Sequence, residues 1–296
     1  MARLPEGNRS GRGNRPKARR RPLWQSPTLI TSLSAGIVAI VLVVIVVINQ
    51  LGAGNAEVSS SLPAFVASVI LHPDASVIAT VGSGKQPGEL THVAGTNVLK
   101  DAGGKPLIVY VGGEYCPFCA AERWSIAYAL SQFGTFKGLT EIQSSATDVD
   151  ANTDTLSFYK STYTSPVIDF SATEAYDRSQ NPMQPLTPEV SSIFSKYDTP
   201  PYTMLSGGFP FLDIAGRYIL LNTSYDPAIL KNLTWDQICT RMKDPTDPVC
   251  KAIVGNANIL TAAICLALGD VPASVSAAPT IEAIESGVQK IPVTPA

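Results

Sequence analysis

LIVYVGGEYCPFCAAERWSIAYALSQFG, residues 107–134, opens with Leu107, Ile108, Val109, Tyr110 and Val111. That run is rich in β-branched and aromatic residues and suits a buried strand. Gly112 and Gly113 break it, Cys116-Pro117-Phe118-Cys119 follows, and a stretch of good helix formers runs on to Gly134, placed where a left-handed C-cap is favoured. Strand, tight turn, Cys-x-x-Cys and helix form the layout of a dithiol–disulfide site. Pro117 fits the first helical position, where a missing N–H costs nothing. Cys116 then sits at the helix N-terminus, beside unpaired N–H groups and the positive end of the dipole. Its thiolate, the attacking species, is stabilised there. Cys119, one turn further on, can resolve a mixed disulfide formed on Cys116. Phe118 is expected to stay exposed as an apolar contact for a partner.

Two other uses of Cys-x-x-Cys stay open: half of a zinc site, or a structural disulfide without turnover. Zinc lacks support, since the remaining candidates (Cys239, Cys250, Cys265, His72 and His92) contain no second closely spaced pair. No metal site is therefore expected, and dithiol chemistry calls for no diffusible cofactor.

The chain outside this stretch has an uneven charge. Arg3, Arg9, Arg12, Arg15, Lys17, Arg19, Arg20 and Arg21 crowd the start, with Glu6 the one acid among them. The remainder is net acidic, which argues against nucleic acid as a partner. Residues 28–48 form an apolar run without a charge, ending IVAIVLVVIVVI, and the next lysine or arginine is Lys85. About 20 helical residues span a ~30 Å hydrocarbon core. The positive-inside rule then puts the N-terminus in the cytoplasm and the rest outside it. A cleaved signal peptide is the alternative, with Gly54-Asn55-Ala56 as a small-residue site. Outside the cytoplasm disulfides persist, so a dithiol site would meet oxidised substrates. The expected organisation is a basic cytoplasmic tail over 1–27, a transmembrane anchor over 28–50, a linker over 51–61, an exported domain over 62–270 and a flexible tail over 271–296.

Within that domain, 62–84 reads as one or two short helices, and 139–145 as a strand. Residues 156–160 and 163–170 have the composition of a hairpin. Thr187 is a candidate N-cap for a helix through Tyr197. In the helix after Cys119, Glu122 and Arg123 should mark the wetter face. GGFPFLDIAGRYILLN, residues 207–222, reads as two strands joined at Ala215-Gly216, with Pro210 opening the first. Pro210 is a candidate for a cis peptide; a trans proline at an edge-strand start is the alternative. Thr234 caps a helix over 235–243, and 249–268 is helical with a candidate break at Gly255-Asn256-Ala257-Asn258. Antiparallel packing of these two helices would bring Cys239 and Cys250 to similar heights and make them the expected structural disulfide, leaving Cys265 buried. On one unbroken helix Cys250 and Cys265 would be ~22 Å apart and could not bridge; a break at Gly255 would reopen that pairing.

Strand–Cys-x-x-Cys–helix, then X-Pro–strand–turn–strand–helix, resembles the thioredoxin fold, and CPFC is similar to the CPYC of glutaredoxins and some periplasmic isomerases. Four runs resemble more closely the prokaryotic, membrane-anchored domain of unknown function 929 family: GGEYCPFCAAERW at 112–124, TYTSP at 162–166, FPFLDIAGRY at 209–218 and GNANILTAAIC at 255–265. The resemblance covers about 62–272. It implies an α/β fold with a thioredoxin-like central sheet flanked by helices and an N-terminal transmembrane helix; the interval from Cys116 to Pro210 is much longer than in ordinary thioredoxins, so about 148–199 is expected to be an insertion before the cis-Pro strand. Thioredoxins usually carry a buried acid six residues before the first cysteine; here that position is Tyr110, and Glu114, closer by, is expected to be exposed. The implied function is a membrane-anchored extracytoplasmic thiol–disulfide oxidoreductase acting on protein disulfides. Cys116 and Cys119 would be catalytic, with Pro210, Phe209 and Phe118 binding substrate. Its partners would be protein thiols or disulfides, a membrane or envelope redox protein, and the bilayer. The alternative is a non-catalytic thioredoxin-like binding module of the cell envelope. Metal delivery would need a histidine or methionine at the thiols, and Met204 alone lies near Pro210 in sequence.

Overall fold

A computed structural model describes residues 62–84, 90–95, 97–204, 207–269 and 271–294. The basic tail, the anchor and the linker expected over 1–61 lie outside the described residues. Two short helices, α1 (Ala64–Ile70) and α2 (Ala75–Val81), precede strand β1 (Leu90–Val93). Then come β2 (Leu107–Gly113), α3 (Pro117–Leu130), β3 (Thr135–Lys137), β4 (Thr140–Gln143), β5 (Asp154–Ser157), β6 (Thr162–Thr164) and β7 (Asp169–Tyr176). The chain continues through α4 (Pro188–Tyr197), β8 (Phe211–Ile214), β9 (Tyr218–Leu221), α5 (Trp235–Met242), α6 (Pro248–Leu268), α7 (Ala273–Ser276), α8 (Pro279–Val288) and β10 (Val293–Thr294).

The fold is α/β, built on a mixed six-stranded sheet of order β10-β1-β9-β8-β2-β7. β2 runs parallel to β7 and antiparallel to β8, which is antiparallel to β9. Side-chain alternation divides β2 between two layers. Ile108 and Tyr110 face the larger core with α3 and α6. Leu107, Val109 and Val111 face a smaller one under α4, with Val190, Tyr197 and Phe211. At the β8–β9 turn both Ala215 and Gly216 take positive φ, 54° and 68°. That backbone matches the twist of the flanking strands and favours glycine. Thr187 and Thr234 cap α4 and α5 as their sequence positions predict; Thr234 and Gln237 close a capping box.

Several expectations are corrected by long-range pairing. No hairpin joins 156–160 to 163–170: β5 pairs with β4, β6 with β3, and β7 joins the main sheet as its edge strand. The interval 148–199 is therefore not a separate insertion, since it supplies part of the sheet as well as α4. The TYTSP run tethers this region: Tyr163 Oη donates to the Leu130 carbonyl and Ser165 Oγ to that of Phe133, while Lys105 Nζ donates to the Ser165 carbonyl. α3 ends at Leu130, capped at Ser131, before Gly134. α6 is unbroken through 255–258. There Gly255 lets the α2 C-terminus come close, for a Cβ on it would lie 2.7 Å from Gly84 Cα and from the Ser83 carbonyl oxygen. Asn258 Nδ2 caps that same end, donating to the carbonyls of Ile78 (3.1 Å) and Gly82 (2.7 Å). The tail from 271 is not loose: Val275, Ile281 and Val288 enter the larger core, and β10 pairs parallel with β1. Among the described residues α6 alone is long and apolar enough to cross a bilayer, and it is covered by protein.

Candidate functional site: a cysteine pair over a buried ion pair

β2 delivers the chain to a turn at Glu114 and Tyr115, and α3 starts at Pro117. Cys116 is the N-cap: its backbone is extended (φ −78°, ψ 122°), and its Sγ accepts a hydrogen bond from the Cys119 N–H at 3.3 Å. This is the sulfur analogue of a serine cap and satisfies one orphan donor of the first turn. Cys116 is 6 % exposed, while Cys119 is sealed. Their acidities diverge. The hydrogen bond from the Cys119 side chain holds the Cys116 thiol below its ordinary value, aided by the Cys119 N–H and the Arg123 charge and opposed by burial. Burial pushes Cys119 well up, and its hydrogen bond to Cys116 pushes it further. Cys116 is therefore the more acidic of the two sulfurs and Cys119 the less acidic.

The β8 end closes over Cys116. The Phe209–Pro210 peptide is cis, as the sequence suggested, and the Cys116 thiol points to the Phe209 carbonyl at 3.8 Å. Pro210 is buried and Phe209 half-buried, its ring stacked on Phe194 at 6.0 Å between centroids. Phe118 is half-buried rather than exposed. It borders an open groove of about 700 Å³ with Thr223, Ser224, Tyr225, Pro248 and Lys251.

Beneath the cysteines lie charges that should have been wet. Glu122 and Arg123 are both fully buried, because α3 packs against α6 and β5 and shares a core with the inward face of β2. Arg123 Nε and Nη2 donate to the two Glu174 oxygens, each at 2.8 Å, and Nη2 also donates to the Gly113 carbonyl at 2.8 Å. Arg123 Nη1 and the Tyr110 hydroxyl are buried there without a partner. Glu114, expected to be exposed, is half-buried; burial raises its carboxyl, and Ser157 Oγ donates to it at 2.6 Å. On the other flank of α3, Glu122 accepts from Asn256 Nδ2 (2.6 Å), Thr223 Oγ1 (3.1 Å) and the Ser224 N–H (3.1 Å). Burial still raises its carboxyl to about 7.

The structure thus brings together Cys116, Cys119, Phe209 and Pro210, and sets Phe118 at the rim. It does not form the expected Cys239–Cys250 disulfide. Both are buried thiols; Cys250 Sγ instead donates to the Met242 carbonyl at 3.0 Å, where α5 turns into α6. Among the described residues no three His, Cys, Asp or Glu side chains converge as a metal site. Arg123, Glu174 and Glu122 escaped sequence reading. For Glu122 and Arg123 the available signal was their place on a helix whose other residues are mostly apolar, which leaves little polar face for a charge; Glu174, on β7, carried no such signal.

No curated protein and no solved structure matches the chain. The domain of unknown function DUF929 matches residues 91–266, from β1 nearly to the end of α6 and including every residue of the cysteine site. The chain belongs to the DUF929 family.

Proposed function

We propose that the protein is a membrane-anchored, extracytoplasmic thiol–disulfide oxidoreductase with a thioredoxin-like core. The observation that carries this reading is the pairing of unlike sulfurs at one helix start: Cys116 as N-cap thiol facing the Phe209 carbonyl, Cys119 sealed behind it. Strand order supports the fold. β7-β2-β8-β9, with the dithiol helix linking toward its parallel neighbour and the X-Pro strand antiparallel beside β2, is the arrangement expected of that core. The charge-free run at 28–48 behind a basic tail supports the anchor and the outward orientation.

In the reaction, the Cys116 thiolate attacks one sulfur of a protein disulfide, and the other sulfur leaves with the electron pair and takes a proton. Cys119, once deprotonated, attacks Cys116 in the mixed disulfide and releases the second substrate thiol. The reverse sequence oxidises a substrate dithiol. Pro210 and Phe209 position the substrate backbone against Cys116, and Phe118 offers it an apolar edge. A membrane or envelope redox protein resets the pair. Insulin reduction and refolding of a scrambled disulfide protein test the proposal with the wild type and Cys116→Ser. The wild type is expected to be active and the variant inactive; equal behaviour removes the catalytic reading in favour of a binding module. A redox titration separates the same two, because a pair that stays oxidised below about −300 mV is structural.

A further inference from the structure

Cys116, Cys119 and Arg123 stand at i, i+3 and i+7 on α3, one face of the helix. Arg123 is fully buried, and two of its nitrogens are tied, to the Glu174 carboxylate and to the carbonyl of Gly113, the last residue before the cysteine turn. Nη1 is left unpartnered in the same interior as the unpartnered Tyr110 hydroxyl. A guanidinium keeps its charge at any working pH, and burial leaves that charge little screened. Both cysteines feel it in the sense that favours the thiolate. A guanidinium paired with the Glu174 carboxylate, with a neutral tyrosine at position 110, thus lies under the dithiol, and it is the guanidinium that shares the helix face of the two sulfurs.

We propose that Arg123 is a positioning residue that stabilises the reduced form of the Cys116–Cys119 pair and so sets the site to give disulfides to protein dithiols rather than remove them. This rests on the oxidoreductase reading above. A substrate thiolate attacks Cys116 Sγ, the Cys116–Cys119 bond breaks, and Cys119 leaves with the electron pair and takes a proton. The second substrate thiolate then attacks the substrate sulfur of the mixed disulfide, and Cys116 departs as thiolate. The substrate loses two electrons and the pair gains them. A further disulfide, oxidised glutathione in the test, accepts those electrons and restores the pair. A thiolate stabilised by a nearby cation is the better leaving group and the weaker reductant.

The test measures the equilibrium of the pair with glutathione, and the pH midpoint of Cys116 alkylation, in the wild type, Arg123→Lys and the double variant Arg123→Gln/Glu174→Gln. The double variant removes both charges together, so neither is left buried alone. It is expected to shift the equilibrium about tenfold toward the disulfide, equivalent to a potential about 30 mV more negative, and to raise the alkylation midpoint. Arg123→Lys, which keeps the charge, is expected to fall closer to the wild type. A folded double variant within about twofold of the wild type in this equilibrium overturns the inference. Should the double variant not fold, the wild type decides: electron transfer to it from reduced thioredoxin is expected to favour the reduced pair at least about tenfold, and an equilibrium favouring its disulfide overturns the inference. If the wild type and Cys116→Ser already behave alike in the exchange assays, the underlying reading has failed; if the wild type exchanges disulfides but the charge removal is silent, only the role of Arg123 has.

Discussion

Glu122→Gln is expected to make the protein more stable, and only above a defined pH. The carboxyl of Glu122 is fully buried and raised from 4.5 to about 7. Because the folded value is the higher one, the folded chain binds more protons than the unfolded chain between about pH 4.5 and 7. Stability contributed by this group is therefore present at and below about pH 4.5 and is lost as pH rises to about 7. At 1.36 kcal/mol per unit, the loss has a ceiling of about 3 kcal/mol. Glutamine has the same shape and no charge. Its oxygen can keep the bonds from Thr223 and Ser224, and its Nε2 can meet Asn256 Oδ1, which is buried and unpartnered, once that amide turns over. Denaturant unfolding from pH 4.5 to 8 reads the effect. The variant should equal the wild type near pH 4.5 and exceed it by about 2–3 kcal/mol at pH 8, a rise in Tm of about 4–12 °C. A difference that stays flat across this range would refute the reasoning, since only a titrating Glu122 predicts a pH-dependent gap.

Two further substitutions probe other parts of the fold. Asp213→Asn should change sign with pH: burial raises Asp213 to about 7 and its Oδ2 has no partner, so relief of the charge favours the variant at pH 8. At pH 5 the new amide N–H₂, buried without an acceptor, should make it less stable than the wild type by about 1–3 kcal/mol in the same unfolding assay. Gly255→Ala should lower stability by about 1–3 kcal/mol, read as a lower Tm, because the new methyl meets the backbone of Ser83 and Gly84; an unchanged Tm would show that the α2–α6 contact is not tight.

Much of the candidate site was legible because it is local. The strand before the cysteines, Pro117 at the first helical position, the caps at Thr187 and Thr234 and the turn at Ala215-Gly216 all depend on neighbours a few residues away. What was misread depends on distant chain. Glu122 and Arg123 look like a wet helix face until Glu174 and Asn256, 51 and 134 residues on, arrive to pair with them. The glycine and asparagines at 255–258 look like a break until α2 ends against them.

Amino-acid order alone determined where the dithiol sits, which cysteine heads the helix, and that a proline-led hairpin follows. Only tertiary structure decided that the Phe209 carbonyl faces Cys116, that β7 lies parallel to β2, and that a guanidinium and a carboxylate lie buried under the sulfurs. Propensity, capping and turn chemistry act over a few residues, whereas the burial of a charge is settled by whichever distant segment covers it and supplies its partner.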